Sequence, residues 1–221
     1  MLSIIIPTLN ADVSLAATLE ACKAIESETI VSDGGSTDQT CEIAQSMGAK
    51  LISSKPNRGL QLRHGAENSN GDWLLFLHAD CIPAQNWGTC VEDFINTKTN
   101  RYRAGVFQLK LDDTTRQARR IEWWTGCRTR LLALPYGDQG LLISRAYYNG
   151  LGAYRPIPLM EDVDIIRKIG RSGLCILPTH ITTSAKRYQQ DGYWKRPMRN
   201  LGLLSLYYLG VPPKFLARLY Q

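Results

Sequence analysis

None of the six cysteines (Cys22, Cys41, Cys81, Cys90, Cys127, Cys175) forms a CxxC pair. That absence excludes a dithiol redox motif and the paired ligands of a structural zinc site, and no cysteine stands at a metal-ligand spacing. Reduced thiols in a cytoplasmic protein are the expected state. No apolar run approaches the roughly 20 residues that cross a bilayer. The longest, Leu201 to Val211, is interrupted by Gly202, Ser205 and Gly210. The first residues enter an apolar run without a basic leader, so no secretory signal is expected. Lysine and arginine never cluster densely enough to argue for nucleic acid. Repeats and low-complexity linkers are also missing, which points to a single domain.

What is present is ordinary globular material: 221 residues, 44% hydrophobic and 21% charged. The net charge of +6 suits an anionic small substrate or an anionic membrane surface, and equally a solvated basic face. Leu2 to Ile6 reads as a central strand closed by Pro7. A helix from Asp12 to Ala24 follows, then a strand from Glu28 to Asp33. A helix capped by Asp38 runs to Met47 and stops at Gly48. A short strand from Lys50 to Ser53, a helix from Arg58 to Asn68 and a strand from Trp73 to Leu77 complete a β-α-β-α-β-α-β series. Such a series implies an α/β fold with a mostly parallel, doubly wound sheet and right-handed crossovers. Further on, helices are expected at 85–95, 115–134 and 162–170, and strands at 104–111, 140–143, 174–177 and 181–184. Two tail helices are separated by Pro212-Pro213.

Two apolar runs end in carboxylates: Thr29-Ile30-Val31-Ser32-Asp33-Gly34-Gly35-Ser36-Thr37-Asp38 and Trp73-Leu74-Leu75-Phe76-Leu77-His78-Ala79-Asp80. In open α/β sheets, ligands bind outside the carboxyl ends of the strands, so both stations should face one crevice. A nucleoside-sized pocket at one strand end and a metal ligand at the next suggest an enzyme for a nucleotide-activated substrate.

Together with Ser3-Ile4-Ile5-Ile6-Pro7-Thr8-Leu9-Asn10, Asn57-Arg58-Gly59 and Met160-Glu161-Asp162, these stations resemble a family 2 glycosyltransferase of GT-A fold. Phe76-Leu77-His78-Ala79-Asp80, Gly137-Asp138-Gln139 and Thr183-Ser184-Ala185-Lys186-Arg187-Tyr188 narrow the likeness to a compact, single-domain bacterial subgroup. The resemblance implies a three-layer sandwich, with a nucleotide-binding half over 1–100, an acceptor and catalytic half over 101–190 and a helical tail over 191–221. It further implies a nucleotide-sugar donor, UDP-type first, a divalent cation (Mn2+ or Mg2+) and an inverting transfer to an undefined hydroxyl acceptor, either a small molecule or lipid-linked.

In that scheme Asp33 recognises the base, Gly34 and Gly35 let backbone approach the nucleotide, and Pro7, Thr8 and Asn10 line the first strand's exit. Asp12 shares that exit or caps its helix. His78-Ala79-Asp80 stands where the family has its DXD metal motif, with Ala79 part of the donor site. Asp80 holds the cation. His78 replaces the leading aspartate and either joins the ion, favouring manganese, or only hydrogen-bonds a neighbour. Asp162 is the base that deprotonates the acceptor, with Glu161 as its support or substitute. Arg58 and Arg63 are candidates for the diphosphate, as are Lys186 and Arg187. Asp138 is a candidate for the donor sugar or acceptor, and His180 for a late metal ligand. Asp33, Asp80 and Asp162 are expected to converge on one pocket.

Trp123 and Trp124 among Arg116, Arg119, Arg120, Arg128 and Arg130 fit a sugar platform, a peripheral contact with the inner membrane face, a homodimer interface or plain core. Two other readings share the architecture. A sugar-phosphate nucleotidyltransferase should carry a Gly-rich basic loop after the first strand, where Pro7-Thr8-Leu9-Asn10-Ala11 stands instead. A non-catalytic nucleotide-binding protein has only His78 in its favour.

Overall fold

The computed structural model describes residues 1–220. The first half is β1 (Leu2–Thr8), α1 (Asp12–Cys22), β2 (Ser27–Asp33), α2 (Thr40–Ser46), β3 (Lys50–Ser53), α3 (Arg58–Glu67) and β4 (Trp73–Phe76). The second half is β5 (Cys81–Pro83), α4 (Trp87–Asn96), β6 (Ala104–Leu111), α5 (Arg116–Leu132), a 3-10 turn (Gly137–Gln139), β7 (Leu141–Ser144) and α6 (Arg145–Gly150). It continues with α7 (Glu161–Gly173), β8 (Leu174–Thr183), α8 (Lys186–Asp191), α9 (Lys195–Tyr208) and α10 (Pro213–Tyr220).

One eight-stranded sheet runs in the order β3-β2-β1-β4-β7-β6-β8-β5. Its β3-β2-β1-β4 half is parallel, as the βα alternation requires. The sheet as a whole is mostly parallel, as expected, with two exceptions: β7 runs antiparallel to both β4 and β6, and β5 antiparallel to β8. The two late strands expected at 174–177 and 181–184 are one strand, β8, whose register against β6 shifts between Val106 and Gln108. The short β5, α6 and α8 escape a pattern reading because three to six residues carry no resolvable period. The residue that precedes α2 in the cap position is Gln39, not Asp38, but the Asp38 carboxylate still accepts the Thr40 amide at 3.0 Å.

Alternation sorts the strands onto two faces. Ile4, Ile6, Leu75 and Leu77 join the core with Leu15, Leu19, Trp87 and Phe107. Ile5, Leu74 and Phe76 pack on the other face with Leu62, Tyr148, Ile165 and Ile169. Both faces are covered, which is why these runs read as continuously apolar. The tail helices make a separate cluster: Leu203, Leu204 and Leu216 pack on Leu134, Leu159, Met160 and Val163, at the entry of α7. That packing brings the end of the chain over the carboxyl edge of β4.

Candidate active site

β4 leaves the sheet after Leu77, whose amide still bonds the Ile5 carbonyl at 3.0 Å. The next turn brings donor atoms of His78, Asp80 and Cys81 within 4.8 Å of one another. The turn Gly137–Gln139 lies across them. A Cβ on Gly137 would stand 2.7 Å from His78 Nε2 and 3.5 Å from Asp162 Oδ2. Glycine is required here for space: it lets the imidazole and the carboxylate close on the same stretch of backbone. The Gly137 amide donates to Asp162 Oδ2 at 2.9 Å.

The turn is anchored from below by buried Gln139, whose Nε2 donates to the Phe107 carbonyl at 2.9 Å. Thr129 Oγ1 donates to its Oε1 at 3.0 Å. Arg128 stacks on Tyr136 at 3.4 Å and donates to the Leu134 carbonyl at 2.8 Å. These supports come from α5, and no local sequence signal marks them.

The acidic pair at the start of α7 divides its labour. Glu161 is 1% exposed and ion-paired to Arg58. Burial pushes its carboxyl up, and Arg58 opposes that shift. Despite the cost of burying it, Arg58 is held protonated by Glu161 and Asp162. Glu161 is therefore committed to Arg58, whereas Asp162 lines the cleft. The turn into α7 is forced: Met160 has φ 66°, a left-handed conformation costly for a side chain of this size.

Asp80, His78, Asp162, Arg58, Asp138 and Arg187 line one cleft. Burial, reinforced by Arg58, holds His78 down to about 4, so its imidazole is neutral at pH 7 and has a lone pair to offer. Asp138 Oδ1 is buried without a hydrogen-bond partner, and burial pushes that carboxyl up. A neutral imidazole and the Asp80 carboxylate form a mixed N/O donor pair that fits a borderline divalent cation such as Mn2+, and the orphan Asp138 acceptor lines the same cleft. Cys81 corrects the expectation that no cysteine enters a ligand cluster. The chain reverses at His78, whose carbonyl accepts the Cys81 amide at 3.2 Å, and this turn brings the thiol in. Cys81 is fully buried, however, and its thiol is pushed well up, so it stays protonated.

The expected convergence of three carboxylates is met by two. Asp33 ends β2, two strands from β4 and outside the cleft. Its Oδ1 accepts from Thr8 Oγ1 at 2.9 Å and from Ser36 Oγ, and its Oδ2 accepts from the amides of Gly35 and Ser36, both at 2.8 Å. These bonds hold the carboxyl below its usual range although burial works the other way. They occupy about all the lone-pair sites a carboxylate has, so a base N–H enters only by displacing a hydroxyl. Gly35 is needed for its φ of +95°, and Gly34 for closeness, its missing Cβ lying 3.1 Å from Gln61 Nε2. Gln61, absent from the sequence reading, is buried and ties the ends of β1 and β2 by donating to Thr8 O at 2.7 Å and Ser32 O at 2.8 Å.

Other expected contacts serve the framework. Pro7 is buried in β1. Asn10 (φ 51°) accepts the Thr37 amide at 2.9 Å, and the Ala79 carbonyl accepts Thr18 Oγ1 at 2.8 Å. Arg63 is paired on the surface with Glu67, 2.8 Å away, because residues four apart on a helix are neighbours. Lys186 is exposed at the start of α8 and outside the cleft, whereas Arg187 enters it. His180 lies on β8 opposite Gln108, remote from the His78 cluster, so it is not a ligand there. Tyr188, from the Thr183 to Tyr188 stretch, lines the cleft, and so do Tyr136, Arg196, Asn200 and Tyr220, which were not foreseen, since only the folding back of the tail brings most of them there.

A parallel half-sheet that delivers a nucleotide-type turn and a His-Ala-Asp turn to one edge, closed by a mixed half carrying the second acid, is the GT-A architecture. Residues 3–145 match the glycosyl transferase family 2 model, and the chain belongs to that family. A PGL/p-HBAD biosynthesis glycosyltransferase from Mycobacterium bovis is 39% identical over 90 residues, covering 36% of this chain and 35% of the relative. An uncharacterized glycosyltransferase from Rickettsia typhi is 34% identical over 112 residues, covering 50% and 38%. The chain thus matches little more than a third of the length of these relatives.

Among solved structures, glucosyl-3-phosphoglycerate synthase from Mycobacterium tuberculosis, crystallised with Mn2+, UDP and glucosyl-3-phosphoglycerate, superposes with a TM-score of 0.61 at 19% identity, covering 83% of this chain and 70% of that one. S. aureus TarS gives 0.66 at 14% identity, covering 99% and 68%. These likenesses show the fold.

Proposed function

We propose that this chain is an inverting, cation-dependent glycosyltransferase that takes a UDP-type sugar nucleotide and transfers its sugar to a hydroxyl acceptor. The observation that carries the reading is that Asp162 and the His78–Asp80 donor pair face one cleft with Arg58 and Arg187. The donor class is supported by the fold relatives crystallised with UDP and UDP-GlcNAc.

Asp80 and His78 would hold a divalent cation, with Asp138 within the same wall, and that cation would neutralise charge developing on the leaving diphosphate. The rest is done by the chain. Arg58, fixed by Glu161, and Arg187 offer guanidinium groups to the diphosphate. The turn after Asp33 and the ends of β1 and β2 receive the nucleoside. Asp162, oriented by the Gly137 amide, takes the acceptor's proton as its oxygen attacks the anomeric carbon. The bond to the diphosphate breaks on the opposite face, the nucleotide leaves with the electron pair, and the configuration inverts. The C-terminal helices roof the acceptor side.

The test is slow hydrolysis of a panel of sugar nucleotides in the presence of Mn2+, with and without Asp80→Ala. The reading expects turnover of at least one UDP-sugar, lost in the variant. No turnover of any member, with no nucleotide-dependent thermal shift, would sink it.

A further inference from the structure

A second cavity adjoins the cleft. It runs between α5 and α9, encloses about 460 Å³ against about 140 Å³ for the cleft, and is walled by Trp124, Leu131, Leu132, Trp194, Met198 and Leu201. Trp124, Leu132, Met198 and Leu201 are 57%, 69%, 63% and 54% exposed. Scattered apolar residues on a surface need no explanation, but an apolar patch concentrated on one groove marks a binding site. Tyr136, Tyr188 and Asn200 line both cavities, so these three side chains stand between the groove and the cleft that holds Asp162.

The helices that form it are strongly basic. α5 carries five arginines against Glu122, which pairs with Arg119, and α9 carries Lys195, Arg196 and Arg199 against Asp191 of α8, which pairs with both arginines, so the face keeps a net positive charge. Arg120 lies over the Trp194 ring at 3.9 Å, placing a cation at the groove itself. Two copies of this face meeting about a twofold axis would set these cations against one another, which disfavours a dimer. A hydrocarbon chain beneath an anionic headgroup matches both the wall and the charge.

We infer that the α5–α9 groove holds the hydrocarbon tail of an amphipathic acceptor, whose headgroup hydroxyl reaches Asp162 past Tyr136, Tyr188 and Asn200. This rests on the transferase reading and names its acceptor class: a lipid with a hydroxylated, anionic headgroup.

The test titrates the full chain with n-alkyl β-maltosides from hexyl to decyl, below their micellar concentrations, following tryptophan emission from Trp124 and Trp194. Full burial of each methylene strengthens binding about fourfold, so even partial burial should give at least about a tenfold gain from hexyl to decyl. The double variant Met198→Asp/Leu201→Asp, at two exposed positions, should abolish that gain and leave sugar-nucleotide hydrolysis and melting temperature unchanged. Affinity independent of chain length, or an equal gain in the double variant, overturns the inference while the transferase reading stands. So does a dimer in sedimentation that the double variant dissolves without any chain-length effect. A chain-length response with no sugar-nucleotide hydrolysis overturns the transferase reading and, with it, the acceptor role.

Discussion

The amide of Gly137 donates to Asp162 Oδ2 at 2.9 Å, joining a turn and a helix N-terminus that lie 25 residues apart. That bond aims the carboxylate, and the absence of a side chain on Gly137 lets His78 stand against the same turn. The proposed base and the proposed cation ligand His78 are therefore held by one piece of backbone.

Gly137→Ala should consequently damage both. Its new methyl would meet His78 Nε2 at 2.7 Å, and one of the two must move. Overpacking of this kind costs about 1–3 kcal/mol. The expected outcome is a folded protein melting a few degrees lower, with sugar-nucleotide turnover down at least about tenfold. Wild-type turnover would show that the turn does not position the site.

The two acids at the start of α7 should separate by readout. Asp162→Asn keeps an acceptor for the Gly137 amide but removes the base, so turnover to acceptor should fall by about 10²–10⁴-fold with little change in stability. Glu161→Gln removes the partner of Arg58 and should cost about 1–3 kcal/mol in denaturant unfolding, with a smaller loss of turnover. Reversed effects would exchange their roles.

Stability without added cation should depend on pH through His78. Its folded value, about 4, lies below the ordinary 6.5 of a histidine, so folding favours the neutral ring. That contribution is complete above pH 6.5 and is lost as pH falls towards 4. Asp138 and Glu161, both raised, act with the opposite sign. The check is therefore a comparison: in chelator, the wild type should lose more stability between pH 6.5 and 4 than His78→Gln. Parallel curves would contradict the assignment.

Leu216, fully buried, is the residue by which α10 plugs the cluster over Leu159, Met160 and Val163. Leu216→Ala should cost about 2–5 kcal/mol and weaken the cleft wall that includes Tyr220. Chemical unfolding together with turnover below the melting transition measures both. An unchanged unfolding midpoint would mean that the tail is not part of the cooperative unit.

The parallel half of the fold, the strand-end stations and the acidic start of α7 were legible because each is local. Two-residue alternation, abrupt carboxylates and glycines report on their own stretch of chain. What escaped the sequence depends on partners far along the chain. β7 inserts antiparallel between β4 and β6, Arg58 reaches Glu161 across 103 residues, and Gln139 and Arg128 carry the turn over His78.

The amino-acid order thus determined which residue types stand at the carboxyl ends of the strands, and so the chemistry on offer. Only the tertiary structure decided which of them work together. It left Asp33 satisfied within its own turn, committed Glu161 to Arg58, and turned Asp162 towards His78 and Asp80. The physical reason is that a carboxylate's role is set by the donors that packing brings to it, and spacing along the chain does not encode those donors.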